Sequence, residues 1–350
     1  IRMTNSDEHL DGIVNYSGNM IIGSIDSAIK VKNYGSMEIK NQAKDIYVEN
    51  GGNLILPNIS FLSYLRNYGE IYGEKVDIKG DFYQGDGKAN VTDICVNGKL
   101  TLEGGENKFT NLTVTNIKED KVALEILTYG KSKTEIKNLK INNNGINFNS
   151  VYKETCFDIA NDCYIENENV KNNAIDKNYG DGDFGELNIN SSGKGTVQIM
   201  GEFSDNGSWT NKSFKTTKIN LSNSDSFITT YIGGGDGLEL KMSNGAILEL
   251  SDNVDGKSEY KRKYYRIGNI DLSLKAIIAL STLNSKSGLE IYRTKLGKEF
   301  NVMQLSGTDG IIRIGIMQDE NMRGSITSDI FSIRKNITEG AKHIVQLLPM

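Results

Sequence analysis

Three stretches of the chain, Val31-Lys-Asn-Tyr-Gly-Ser-Met37, Val48-Glu-Asn-Gly-Gly-Asn-Leu54 and Leu65-Arg-Asn-Tyr-Gly-Glu-Ile71, fall into register when the sequence is shifted by 17 residues. Gly18, Gly35, Gly52 and Gly69 keep that step. Val14, Val31, Val48 and Leu65 stand four residues before the glycines, and Met20, Met37, Leu54 and Ile71 two residues after them. Asn33, Asn50 and Asn67 hold the place two before their glycines; the first unit departs, with Tyr16 there and Asn15 one place earlier. Each unit reads as a short strand, a turn calling for open backbone angles, and a second strand whose alternation buries one face. So short a unit cannot cover its own apolar face and must stack on neighbours at about 4.8 Å. The pattern predicts an all-β chain, a β-solenoid of parallel coils, and excludes helical repeats with periods of about 33 residues or more.

Past Gly80 the strict step lapses while its grammar persists in Val96-Asn-Gly-Lys-Leu-Thr-Leu102, Thr134-Glu-Ile-Lys-Asn-Leu-Lys-Ile141 and Asn144-Gly-Ile-Asn-Phe148. Longer, looser coils are expected over the rest of 1–149. After an interruption, Leu187-Asn-Ile189, Thr196-Val-Gln-Ile199, Leu238-Glu-Leu-Lys-Met242 and Ala246-Ile-Leu-Glu-Leu250 resume coils across 185–269. About fifteen coils at that spacing would make a stack on the order of 70 Å long.

Composition agrees. The 350 residues hold 37 Gly and 39 Asn against two Pro, a bias toward tight turns and left-handed backbone. The net charge of −5 and the lack of a contiguous basic surface exclude nucleic acid as a partner. No apolar run reaches the roughly 18 residues of a membrane span. The chain opens at Ile1 without a signal-peptide profile, so a piece of a longer protein is expected.

Three segments do not read as coils and are expected to project as loops, where binding is commonly carried. The first, 150–184, has three basic and eight acidic residues and holds Cys156 and Cys163. A disulfide between them would enclose eight residues and contribute ~2 kcal/mol, as suits an exported protein; two free thiols in a loop is the other reading. Cys95, in an apolar run, reads as a small core residue. The second, 201–217, carries the only tryptophan, Trp209, which either binds a partner or pins its loop. The third, 251–266, ends in Tyr260, Lys261, Arg262, Lys263, Tyr264, Tyr265 and Arg266, a run suited to stacking and bidentate hydrogen bonding or else a solvated loop.

From about residue 270 the texture changes to Ile270-Asp-Leu-Ser-Leu274 and Ala276-Ile-Ile-Ala-Leu280, followed by alternating strands with longer turns, and 270–350 reads as a cap over the open end of the stack. At Leu305-Ser-Gly-Thr-Asp-Gly-Ile-Ile-Arg-Ile-Gly-Ile316 the chain resembles the passenger domains of type V autotransporters. Such passengers end in a Leu-x-Gly-x-x-Gly turn, here Leu305, Gly307 and Gly310, then a Ser-Asp strand, here around Asp329, then a Gly turn and final strand, here Gly340 and His343 to Leu348. The match spans about 45 residues, and the richness of the whole chain in Asn, Lys and Ile resembles that of the very large fusobacterial adhesins of this class. The resemblance implies a right-handed parallel β-helix at the bacterial cell surface, exported across the outer membrane through a C-terminal barrel, with an autochaperone-like cap that folds first. Coils of 17 are shorter than is usual in that family.

The resemblance implies an adhesin segment that binds a host-cell receptor, protein or glycan, or other bacteria. A membrane-proximal stalk and folding template is the alternative, and a polysaccharide-degrading β-helix enzyme a third. The repeat has no Asp column of the kind that glycoside chemistry needs across neighbouring coils. With only His9 and His343, a Ser/His/Asp triad or a His-rich metal site has almost no raw material. No catalytic residue is therefore assigned. Asp181, Asp183 and Glu186 lack the further ligands of a Ca²⁺ loop and read as a solvated turn, so no metal or cofactor is expected. The single run Gly233-Gly-Gly-Asp-Gly237 likewise reads as a turn.

Overall fold

In a computed structural model, the described residues are 12–26, 28–116, 122–128, 130–149, 154–166, 175–178, 185–200, 203–205, 216–230, 232–233, 238–250, 264–280, 299–316, 331–337 and 340–349. Among them the chain is all-β: 31 strands in one continuous sheet, with no helix. Every strand pairing is parallel, joining each strand to the equivalent strand one coil later, and the single antiparallel contact is the isolated bridge Ser273–Asp309. The arrangement fits a β-solenoid.

One ladder can be followed from Ser24–Asp26 through Lys75–Ile78 and Asn111–Val114 to Ile344–Leu347, fourteen segments in all. At the usual strand spacing this stack is roughly 60 Å long. Alternation turns one residue inward and the next outward. Val31, Val48, Leu65, Phe82, Leu100 and Leu124 thus form one buried inner column, and Met37, Leu54, Ile71 and Ala89 another.

The 17-residue repeat has two causes. Inside the turn, Asn15 Nδ2 donates to Asn33 Oδ1 at 2.9 Å, Asn33 to Asn50 at 2.8 Å, Asn50 to Asn67 at 2.7 Å and Asn67 to Gln84 Oε1 at 2.8 Å. The same amides cap the carbonyls of Gly35, Gly52 and Gly69, so the buried side chains satisfy the turn as well as one another. The glycines are required for closeness rather than for open angles: a Cβ on Gly52 or Gly69 would lie 2.0 Å from the carbonyl oxygen of the glycine one coil earlier. Of the four, only Gly18 has a positive φ, 86°.

The first unit is offset as its sequence hinted. Ile13, not Val14, pairs with Val31, and Asn15 pairs with Asn33, because the turn Tyr16-Ser-Gly18 is one residue longer. The glycine column also outlasts Gly80: Gly87 and Gly105 continue it at steps of 18, each with a would-be Cβ 1.9 Å from the preceding glycine's oxygen. Coils then lengthen, Leu124 lying 24 residues after Leu100 and Val197 lying 34 after Cys163.

The expectation for 150–184 is corrected here. The segment 150–184 is not a loop throughout, since Thr155–Ile159, Cys163–Glu166 and Ile175–Asn178 pair with Ser132–Ile136, Leu139–Asn142 and Ile146–Asn149 as ordinary coil strands. Nor do the strands after 270 change their pairing. Tyr264–Leu272 crosses that boundary, Glu299–Ser306 and Phe331–Ile337 stack on it in turn, and Thr308–Ile316 and Lys342–Pro349 continue the neighbouring ladder.

Candidate binding face

The strands that carry the asparagine ladder present their other residues outward, in two adjacent columns. One holds Lys30, Tyr47 and Tyr64; the next holds Lys32, Glu49, Arg66 and Tyr83. The Tyr47 and Tyr64 rings stack with centroids 4.4 Å apart and an interplanar angle of 11°, and Lys30 Nζ lies 4.9 Å from the Tyr47 centroid. Burial between its neighbours pushes the Tyr64 phenol above its ordinary pKa.

The turn beyond the ladder adds an edge of rings. The residue following each ladder amide is in succession Tyr16, Tyr34, Gly51, Tyr68 and Gly85. Tyr34 lies over Gly51 and Tyr68 over Gly85, where a Cβ would come within 3.1 and 2.5 Å of the ring. Glycine follows Tyr34 and Tyr68 on this edge and leaves room for their rings, whereas Tyr34 itself packs beside Tyr16 with centroids 6.4 Å apart. Tyr16, Tyr34 and Tyr68 remain 68%, 53% and 46% exposed.

Arg66 joins column to edge. Its Cζ lies 5.1 Å from the centroids of both Tyr68 and Tyr83, whose rings are 5.5 Å apart. Lys30 and Lys32 share Glu49 at 3.0 and 3.7 Å, whereas no carboxylate lies within 4.0 Å of the Arg66 guanidinium among the described residues. The exposed guanidinium is thus held by ring faces, with no acid among the described residues paired to its hydrogen-bond donors. Lys30, Lys32, Arg66 and Lys99 against Glu49, Asp81 and Glu125 leave this wall one positive charge in excess, on a chain whose net charge is −5.

Sequence reasoning placed binding elsewhere. Trp209 and Tyr260, Lys261, Arg262 and Lys263 lie outside the described residues, while Tyr264, Tyr265 and Arg266 open a ladder strand instead of ending a loop. The expected Cys156–Cys163 bridge is not made, and both thiols are free. In Thr155–Ile159 the alternate residues Thr155, Phe157 and Ile159 point inward, which turns Cys156 outward, whereas Cys163 is itself an inward residue of the next strand. Opposed side-chain directions exclude the geometry of a disulfide. Burial raises the pKa of both thiols, most strongly that of Cys163.

Of the other residues singled out, Leu305 is buried, Gly307 and Gly340 take positive φ of 96° and 85°, and a Cβ on Gly310 would strike Leu272 Cγ at 2.3 Å. Asp329, Asp181, Asp183 and His9 lie outside the described residues, and Glu186 points outward beside Cys156. Among the described residues no three His, Cys, Asp or Glu side chains converge as metal ligands. His343 has both ring nitrogens enclosed without a hydrogen-bond partner; burial depresses its pKa, and nearby Asp271 opposes that shift.

The tyrosine columns are a candidate face that the sequence reading passed over. Their signal was present, because Tyr47 and Tyr64 are themselves 17 apart and Tyr34 and Tyr68 are separated by two steps of 17. No protein-family model, curated protein or solved structure matches the chain.

Proposed function

We propose that the chain is a right-handed parallel β-helix serving as a non-catalytic, partner-binding segment of an exported bacterial surface protein, an adhesin of the autotransporter passenger class. Support for the architecture comes from the parallel pairing of strands in successive coils and the three-part motif at Leu305 to Leu348. The observation that carries the binding role is the wall on which Arg66 is held between Tyr68 and Tyr83 beside the Tyr47–Tyr64 stack. Stacked Tyr and exposed Arg supply contact area and directed hydrogen bonds at low entropic cost, and the wall beneath holds them in place. The reading thereby moves the contact from projecting loops to the wall itself. Flow cytometry of labelled protein on epithelial cells and on co-aggregating bacteria tests it. Tyr34→Ser with Tyr68→Ser is expected to lower retention at least tenfold while leaving the far-UV spectrum unchanged; undiminished retention would overturn the reading.

A stalk and folding template is favoured by a separate observation, the continuation of one ladder through Phe331–Ile337 and of its neighbour through Lys342–Pro349. On that reading the tyrosine variant binds as the parent does, and the segment after residue 299 is instead what refolding depends on.

A further inference from the structure

The composition of the tyrosine wall selects among partners, and the selection rests on the wall being a binding surface as proposed above. Tyr16, Tyr34, Tyr68 and Tyr83 stand in the first, second, fourth and fifth coils, so their rings mark a track along the stack axis roughly 19 Å long. A partner following that track must gain from flat ring faces repeated along a line. It must also offer an acid to Arg66.

An extended peptide adding as a further strand finds no place here. Strand addition needs unpaired backbone groups, and here the turn amides are already bonded coil to coil: Tyr34 to Asn15, Gly51 to Asn33, Tyr68 to Asn50 and Gly85 to Asn67, at 2.7 to 2.8 Å. A polysaccharide asks nothing of the backbone. The C–H faces of its sugar rings pack on tyrosine faces, its hydroxyls reach side-chain oxygens, and its linked rings advance along a line as the coils do. The planar fork of Arg66, fixed by two rings and without an acid partner among the described residues, matches a carboxylate in bidentate fashion.

We propose that this wall binds a linear, carboxylate-bearing polysaccharide lying along the stack axis, its sugars on Tyr34, Tyr68 and Tyr83 and one carboxylate on Arg66. The contact is a positioned ion pair on a stacking track and not diffuse attraction, because the chain as a whole is acidic.

Biolayer interferometry on immobilised hyaluronan, carboxyl-reduced hyaluronan and dextran tests this. Hyaluronan is expected to bind, and carboxyl reduction to weaken it at least tenfold. Arg66→Gln is expected to abolish the difference between the two polymers, Arg66→Lys to restore it only in part, and Tyr34→Ser with Tyr68→Ser to weaken both. Thermal melts of each variant matching the parent keep a folding defect apart from a lost contact. Equal binding to all three polymers, or an Arg66→Gln variant that still distinguishes them, overturns the proposal. Tyrosine-dependent cell binding that survives glycosidase treatment but not protease overturns it too, while leaving the adhesin reading standing.

Discussion

Gly51 and Gly52 are neighbours with different reasons to be glycine. A Cβ on Gly52 would sit 2.0 Å from the Gly35 carbonyl oxygen, backbone against backbone, and could be accommodated only by prising two coils apart. At Gly51 the obstacle is the Tyr34 ring at 3.1 Å, the end of an exposed side chain that can tilt away. Gly52→Ala is therefore expected to cost about 3 kcal/mol, the upper end for forced overpacking, and Gly51→Ala a few tenths, as at ordinary surface positions. Urea midpoints of the two variants check this, and a Gly52→Ala midpoint within error of the parent would contradict the account of the repeat. The same pair shows what a sequence conceals at this scale. Periodicity marks both columns as special, but only the stacking distance distinguishes a position that must be bare from one that makes room for a ring.

At the scale of a strand, alternation decides more than composition does. Thr155-Cys-Phe-Asp-Ile159 alternates, yet its acidic surroundings and cysteine content read as a loop, and Asn107 and Thr134 occupy inward places where apolar residues are sought. Asn107 Nδ2 reaches Thr134 Oγ1 at 3.2 Å, so polar side chains fill the core by pairing across coils, which hydrophobic periodicity cannot register. The strand assignment carries its own test. Cys163 is buried and its thiol strongly disfavours ionisation, whereas Cys156 and Cys95 are half-exposed. Brief native treatment with iodoacetamide at pH 8 should leave Cys163 unmodified by mass spectrometry, with complete labelling after denaturation and no disulfide in the untreated protein. Protection of Cys156 through a bond to Cys163 would show the alternation to be wrong. The tyrosine wall was legible only in part: the step of 17 picks out Tyr47 and Tyr64 and sets Tyr83 one step after Arg66, but spacing alone does not show that the Arg66 guanidinium lies over the rings of both Tyr68 and Tyr83.

Across the whole molecule, stability is uneven along the stack. The inward column Ile228, Leu248, Ile278 and Ile312 is at most 5% exposed, but its next member, Val345, is 60% exposed on the last described coil. His343 sits on that coil with its imidazole held below its usual pKa by burial. An unfolded histidine takes its proton near 6.5, while the folded one resists, so the coil loses stability as pH falls from about 6.5 through the depressed folded value. Hydrogen exchange of 342–349 is expected to quicken between pH 7.5 and 5 relative to that of 82–96 once intrinsic rates are corrected, and His343→Leu to flatten the difference. An equal pH response in both segments would remove His343 from the explanation.

The asparagine ladder has a further, mechanical consequence. Hydrogen bonds between parallel coils, backbone and side chain alike, run along the stack, so a pull from end to end loads successive interfaces in series rather than sharing the load among them. Strength under tension is then that of the weakest interface, whatever the number of coils. The turns from Asn15 to Gln84 add a side-chain amide hydrogen bond to each interface they cross, so the coils that carry the tyrosine wall are reinforced along the direction in which a pull on a bound partner would part them.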